Sequence, residues 1–539
     1  MRPRQIRTAG TRPTTPRTYP SFVRNCKVLQ PATIRSPIIW WFAALLVWAF
    51  FMNLGGWPLF DVDEGAFSGA TTEMLANGNY ISTFIYGAPR FDKPILIYWL
   101  QALSVNIFGH TEWAFRLPSA LASSLWVWVV FVFAKPRLGD AQAILVAAML
   151  CLSLACWGIA HFASADALLN LFLALAFVDM YRYWEQPSPR KLRRVYVWIG
   201  FGLLTKGPVA VLVPMASGLL FFASTGRLQQ FIRALLNPGG WALLLLIAAP
   251  WYIAIYLQQG QDFIDGFILK HNVARFTDTF EGHGGNIFYY IPVLLLMLLP
   301  FTGLFVQLLR KRPIIAIEPL ERYCWMTFGF VFVFFSFSGT QLPHYLLYGF
   351  SPLLLLLCTQ LEQLRSKLLA LIPALILPLI FLLLPELLYT AAAHMDNAHQ
   401  QAMLTASIDS ADLSYRLLTI GAAIATAGLL FLNRAALWQR LVAAGLIQAL
   451  LLAWAVLPLL AKIQQQPIKD AAVIAAEKSA PLVLWKAHLP SFVTYTQRPV
   501  QRRAPKSGDV VLTRLQHQSK LAAHEVLFSA NGIVLVQML

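Results

Sequence analysis

Residues Pro37–Leu54, PIIWWFAALLVWAFFMNL, form a nearly unbroken apolar run, and Gly55–Gly65, GGWPLFDVDEG, follow directly. The run approaches the roughly 20 residues that a helix needs to cross a bilayer. Asp61, Asp63 and Glu64 stand at its exit, and no acidic residue precedes Asp61. A carboxylate at a bilayer boundary is costly unless it is solvated, paired or functional. The segment therefore reads as a membrane span with a chemically committed mouth.

The rest of the chain repeats the first part of that pattern. Hydrophobic residues make up 58% of the sequence and charged residues 12%, and the mean hydropathy is +0.60, which excludes an ordinary soluble domain. Arg116–Phe133, Ala141–Ile159 and Ala167–Trp184 are further candidate spans, with more near 195–205, 208–224, 240–257, 288–309, 323–338, 345–361, 368–390, 415–432 and 441–460. The expected fold is an all-α polytopic membrane protein with about thirteen transmembrane helices. Residues 1–36 read as a basic cytoplasmic tail and 37–460 as the membrane domain. Residues 461–539, with short alternating runs bounded by Pro and Gly, read as a small periplasmic α/β C-terminal domain.

Basic residues set the expected orientation. The tail carries Arg2, Arg4, Arg7, Arg12, Arg17, Arg24, Lys27 and Arg35, and alternate short loops carry Lys135/Arg137, Arg190–Arg194, Arg227/Arg233, Arg310–Arg312, Arg365/Lys367 and Arg434/Arg440. Such loops hold the cytoplasmic side. A net charge of +17 is then mostly topology and headgroup attraction, and nucleic-acid binding is not indicated. The five cysteines fall in the tail or in spans, so no disulfide framework or CxxC metal motif is available.

The unusual polar residues collect on the opposite face, in loops 57–113 and 258–287 and in short connections between spans. Asp63 either caps the following amphipathic stretch or acts as a general base; Glu64 lies beside it. In Arg90-Phe91-Asp92-Lys93-Pro94, Lys93 either snorkels to headgroups or, beside Asp92, presents a cation or a carboxylate ligand towards a lipid phosphate. Lys206 precedes a Gly-Pro helix break, and the run Val195–Thr205 is short for a span. Either that helix begins near Ser188 or Lys206 lies in a recess, where broken backbone must line a cavity or protein. Lys270, His271 and Arg275 suggest a phosphate grip; His271 and His283 match no strong zinc spacing. Asp166 stands at the mouth of a span, and His344 and Tyr345 in a turn between two others.

The ordered motifs D-E (63–64), F-D-K-P-I-L-I-Y-W (91–99), F-R-L-P-S-A (115–120), L-L-T-K-G-P (203–208), K-H-N-V-A-R-F (270–276), E-G-H-G-G (281–285) and S-G-T-Q-L-P-H-Y (338–345) resemble those of a known family. It comprises the bacterial polyprenyl-phosphate-sugar glycosyltransferases of the C-type fold, which include the aminoarabinose transferase that modifies lipid A and relatives of the protein O-mannosyltransferases. The resemblance covers roughly residues 37–360. It implies inverting transfer from an undecaprenyl-phosphate sugar to a periplasmic acceptor (lipid A, another envelope glycan or protein), in the bacterial inner membrane with the active site facing the periplasm. Asp63 and Asp166 match catalytic acidic positions, and Lys93, Lys206, Arg275 and Tyr345 match positions around the donor phosphate; Glu64, Asp92 and His344 join them as substrate-binding candidates. The chain departs from the family in having Asp63-Glu64-Gly65-Ala66-Phe67 where D-E-x-R-Y is common, and Asp92-Lys93-Pro94 where Glu-Lys-Pro is common. No cofactor is called for: a divalent cation is compatible with such an enzyme, but no acid-rich cluster points to one. A transporter, or a lipid-binding membrane protein without transferase activity, is the rival reading, although paired repeats and midplane charges are not evident.

Overall fold

The computed structural model describes residues 44, 48–274, 278, 284–310, 318–361 and 366–539. The whole basic tail, most of the first apolar run, and Arg275 and His283 lie outside the described residues. The rest is a bundle of helices capped by a mixed sheet at the C-terminal end of the chain.

Among the described residues, five helices are long and apolar enough to cross a membrane: Glu112–Leu138, Pro238–Gln259, Lys367–Ala392, Leu413–Phe431 and Leu437–Gln464. The pair Asp140–Leu152 and Leu154–Ala160, bent by 63°, makes a sixth if it is one broken span. Most other apolar runs form shorter or more charged helices. Val209–Ser224 has 16 residues, Tyr290–Met297 has 8, and Pro189–Lys206 carries five basic residues on one amphipathic helix. Hydropathy counts apolar residues and does not register where a helix ends or breaks.

Local chemistry explains the elements that matter for function. Thr111 caps Glu112–Leu138 by accepting from the Ala114 amide, and Ser188 caps Pro189–Lys206 by accepting from that of Lys191, with Pro189 in the first turn. That second helix stops at Gly207, whose φ of 79° favours glycine. A Cβ there would also meet the Phe267 ring at 2.6 Å. The helix thus ends with Lys206 against the segment Ile264–Ala274. Asp166–Glu185 packs between Glu112–Leu138 and Pro189–Lys206.

The loop after the first run is itself structured. Helix Asp63–Asn77 leads to the hairpin Thr83–Ile85/Ala88–Arg90 and then to helix Leu96–Phe108. The hairpin turns on Tyr86 and Gly87, with φ of 57° and 75°, the handedness that suits a two-residue connection. Glu73 braces this turn by accepting from both amides, at 2.6 and 3.2 Å.

At the C-terminal end, the strands lie in the order Val500–Arg502, Leu482–Leu484, Val510–Arg514, Ile533–Met538, His524–Ala530. The first three are parallel and the last two pair antiparallel. Side chains alternate between faces along each strand. Leu482, Leu484, Leu512 and Leu535 bury against Ala471, Ala475 and Phe492 on one side, while Val483, Val511, Val534 and Val536 form a second core on the other.

Candidate active site

Four chain segments converge on an open cleft with about 760 Å³ of empty space. The hairpin exit contributes Asp92 and Lys93, the end of helix Pro189–Lys206 contributes Lys206, and Ile264–Ala274 contributes His271; Tyr345 and Tyr348 close it. Lys206 is only 9% exposed. Its ammonium donates to Asp166 Oδ1 at 2.5 Å and lies 5.7 and 5.6 Å from the ring centres of Tyr345 and Tyr348, within range of cation–π attraction. Both readings of the short run hold: the helix begins just after Ser188, and Lys206 is recessed.

Asp166 is the first residue of its helix and makes no side-chain cap there. Besides Lys206 it faces His344, whose Nε2 is 3.8 Å from Oδ1. Asp92 is held from two sides. His271 Nε2 lies 2.8 Å from Oδ1, and the Arg90 guanidinium lies 2.9 Å from Oδ2. Burial opposes the charge, but the His271 hydrogen bond, Arg90 and Lys93 outweigh it and hold the Asp92 carboxyl well below its ordinary range. Lys93 donates to the Asp92 carbonyl at 3.0 Å.

Asp63 opens helix Asp63–Asn77 as its first residue; the helix has no side-chain cap, so Asp63 does not serve as one. Its side chain is open to solvent on one side yet crowded by protein on the others. Partial burial and the Asp166 carboxylate raise its pKa, while Lys93, Lys206 and Arg90 pull it down. Those opposing influences bring Asp63, Asp166, Lys93 and Lys206 into one electrostatic neighbourhood.

Glu64 is elsewhere. It is fully buried and clasped by Arg116, whose Nε and Nη2 each lie 2.8 Å from a carboxylate oxygen. The Phe60 and Ala163 amides donate to it as well, and Arg116 spends its remaining donors on the Leu54, Trp57 and Pro58 carbonyls. The expectation that Glu64 contacts substrate is corrected: its oxygens are taken up by an internal ion pair. Arg90 and Tyr348 are site residues that sequence reasoning passed over. Arg90 stood in the quoted F-D-K-P neighbourhood and carried a signal; Tyr348 lies past the end of its motif and carried none. Among the described residues, no group of three or more His, Cys, Asp or Glu side chains is placed to hold a metal ion.

The family of dolichyl-phosphate-mannose-protein mannosyltransferases matches residues 92–254. The structure superposes on ArnT of Cupriavidus metallidurans, solved both bound to undecaprenyl phosphate and in the apo state, with a TM-score of 0.77 over 93% of this chain and 98% of that one, at 20% identity. The chain has the C-type glycosyltransferase fold. In sequence the chain is similar to undecaprenyl phosphate-alpha-4-amino-4-deoxy-L-arabinose arabinosyl transferases. That of Aeromonas hydrophila is 29% identical over 336 residues, 61% of this chain and 60% of the relative. That of Aeromonas salmonicida is 30% identical over 318 residues, 58% and 57% respectively. The matched region thus spans about 60% of the length of these relatives.

Proposed function

We propose that this chain is a membrane glycosyltransferase that moves a sugar from an undecaprenyl-phosphate donor to an acceptor hydroxyl or phosphate on the periplasmic face, with inversion at the anomeric carbon and lipid A as the foremost acceptor. The observation that carries the reading is one carboxylate, Asp63, within electrostatic reach of two cations, Lys93 and Lys206, that line a single cleft. An apolar groove of about 910 Å³ supports it. Leu220, Trp325, Phe330 and Val333 line that groove, which shares Phe334 with the cleft. A phosphate between the lysines with its polyprenyl chain in the groove meets the chemistry of both.

In this reading the acceptor oxygen attacks the anomeric carbon as the bond from that carbon to the phosphate oxygen breaks. Negative charge grows on the departing polyprenyl phosphate, and Lys93 and Lys206 stabilise it where water is partly excluded. Asp63 orients the acceptor and takes its proton. Its raised pKa makes it a stronger base than a free aspartate. Asp166, flanked by His344, holds the Lys206 ammonium at the cleft.

The test is direct. Purified protein is given an undecaprenyl-phosphate-linked aminoarabinose and lipid A, and products are read by mass spectrometry. A mass increase of one sugar that disappears in Asp63→Asn supports the proposal. Full transfer by that variant overturns the role of Asp63, and no transfer to lipid A, to other envelope glycans or to protein overturns the activity.

A further inference from the structure

Residues 59–69, which flank and include Asp63, are gripped by a short stretch of the C-terminal region. Ser491 donates twice to Asp61, from its amide to Oδ1 at 2.8 Å and from its hydroxyl to Oδ2 at 2.5 Å. Before Asp63, the Leu59 amide donates to the Tyr495 hydroxyl at 2.7 Å. After it, Thr494 donates to the Ser68 hydroxyl at 2.9 Å. The approach is close enough to demand glycine. A Cβ at Gly65 would stand 1.8 Å from Asp61 Oδ1 and 2.6 Å from the Ser491 amide, and one at Gly69 would stand 2.9 Å from the Pro490 carbonyl oxygen. Ser491 is fully buried in this contact.

We infer that Asp61 and Ser491 are positioning residues, through which the C-terminal sheet region sets the angle at which helix Asp63–Asn77 presents Asp63 to the cleft. The inference rests on the proposed role of Asp63. A helix start is the least constrained part of a helix, since its first amides lack intrahelical partners. A tether two residues upstream therefore acts at the most movable point. Misplacing a reacting group by about 1 Å lowers turnover on the order of 100-fold, so a rigid tether matters to rate more than to donor binding.

The tether has its own titration. Burial pushes the Asp61 carboxyl up to about 7, against the lowering effect of the two Ser491 hydrogen bonds. Glu64 from helix Asp63–Asn77, Tyr86 from the hairpin and Arg514 from strand Val510–Arg514 also face it. Ionised Asp61 accepts from both Ser491 donors; protonated Asp61 gives up acceptor capacity. The tether is therefore tightest above pH about 7.

The experiment measures sugar transfer against pH for the full chain and for Ser491→Ala and Gly65→Ala. Affinity for undecaprenyl phosphate and thermal denaturation are followed in parallel. We expect kcat to fall at least about tenfold in both variants with donor KM changed less than about twofold. In Ser491→Ala the acidic limb of the profile should move to higher pH, because the hydroxyl that lowered the Asp61 pKa is gone. A merely structural contact would not move that limb. Unchanged kcat and limb in both variants overturn the inference, as does a loss of kcat that only tracks lost donor binding or lost folded protein. Asp63→Asn separates the two claims. If it is inactive while Ser491→Ala runs at full rate, positioning alone falls; if it is active, the catalytic reading falls and the inference with it.

Discussion

The ammonium of Lys206 and the Asp166 carboxylate meet at 2.5 Å, at the end of one helix and the start of another. With side chains only 9% and 13% exposed, the pair is shielded from the screening that weakens surface ion pairs. In the proposed reading Lys206, its charge partly offset by Asp166, acts on the donor phosphate with little screening by solvent.

Lys206→Ala should therefore weaken donor affinity or turnover by at least about tenfold, roughly 1.4 kcal/mol, and Lys206→Arg should recover only part of it, because a planar fork does not replace a compact ammonium. Lys367, exposed and bonded to Asn433, is the control: Lys367→Ala should change little. Equal behaviour of the two alanine variants in a donor-binding assay would reduce Lys206 to a membrane anchor.

Asp63 carries a pH prediction. Its folded-state pKa is raised, chiefly by burial, so the folded protein holds its proton to higher pH than the unfolded chain does. The ionised carboxylate that the proposed catalysis needs is lost as pH falls through that raised value, which adds to the Asp61 effect an acidic loss above the ordinary aspartate range. The same sign makes ionised Asp63 slightly destabilising. Asp63→Asn should then melt at the same or a higher temperature near neutral pH while transfer is abolished. A marked drop in melting temperature would show that the side chain serves the fold.

Glu64 predicts the opposite pattern. Removing one partner of a buried ion pair strands the other charge, at about 3–5 kcal/mol. Glu64→Ala should sharply reduce the yield and melting temperature of folded protein, whereas residual folded protein should bind undecaprenyl phosphate normally. Native stability in this variant would contradict the buried clasp with Arg116.

Orientation can be read by labelling. The alternating basic loops lead us to expect the cleft and the C-terminal sheet on the periplasmic side. Single cysteines at Asn77 and Lys478 should react with an impermeant maleimide in intact cells, and one at Arg190 only after lysis. Labelling of position 190 from outside would invert the topology.

Much of this site was legible because its residues interrupt strong patterns. Lys206 stands at a Gly-Pro break, and Ser188-Pro189 is a recognisable helix start, so both could be placed from the sequence. Glu64 was misplaced because adjacency hides direction: one residue along a helix turns the side chain by about 100°, which carries Glu64 away from Asp63 and toward Arg116. About thirteen spans were expected, and five described helices meet the length and hydropathy of a span, since hydropathy does not register breaks. The grip of Ser491 on Asp61, 430 residues away in sequence, left no local trace at all.

The hairpin tip carries a lesson for redesign. Tyr86 sits in the left-handed region, its amide and that of Gly87 are braced by Glu73, and its hydroxyl meets His488 Nδ1 at 3.2 Å. The turn is thus shared among three stretches of chain. Grafting residues 83–90 into a related enzyme to alter acceptor choice would transplant a loop without its scaffold, and the donated shape would relax. The transferable module is the hairpin together with Glu73 and His488, so homologous recombination with a breakpoint between residues 90 and 480 would split it.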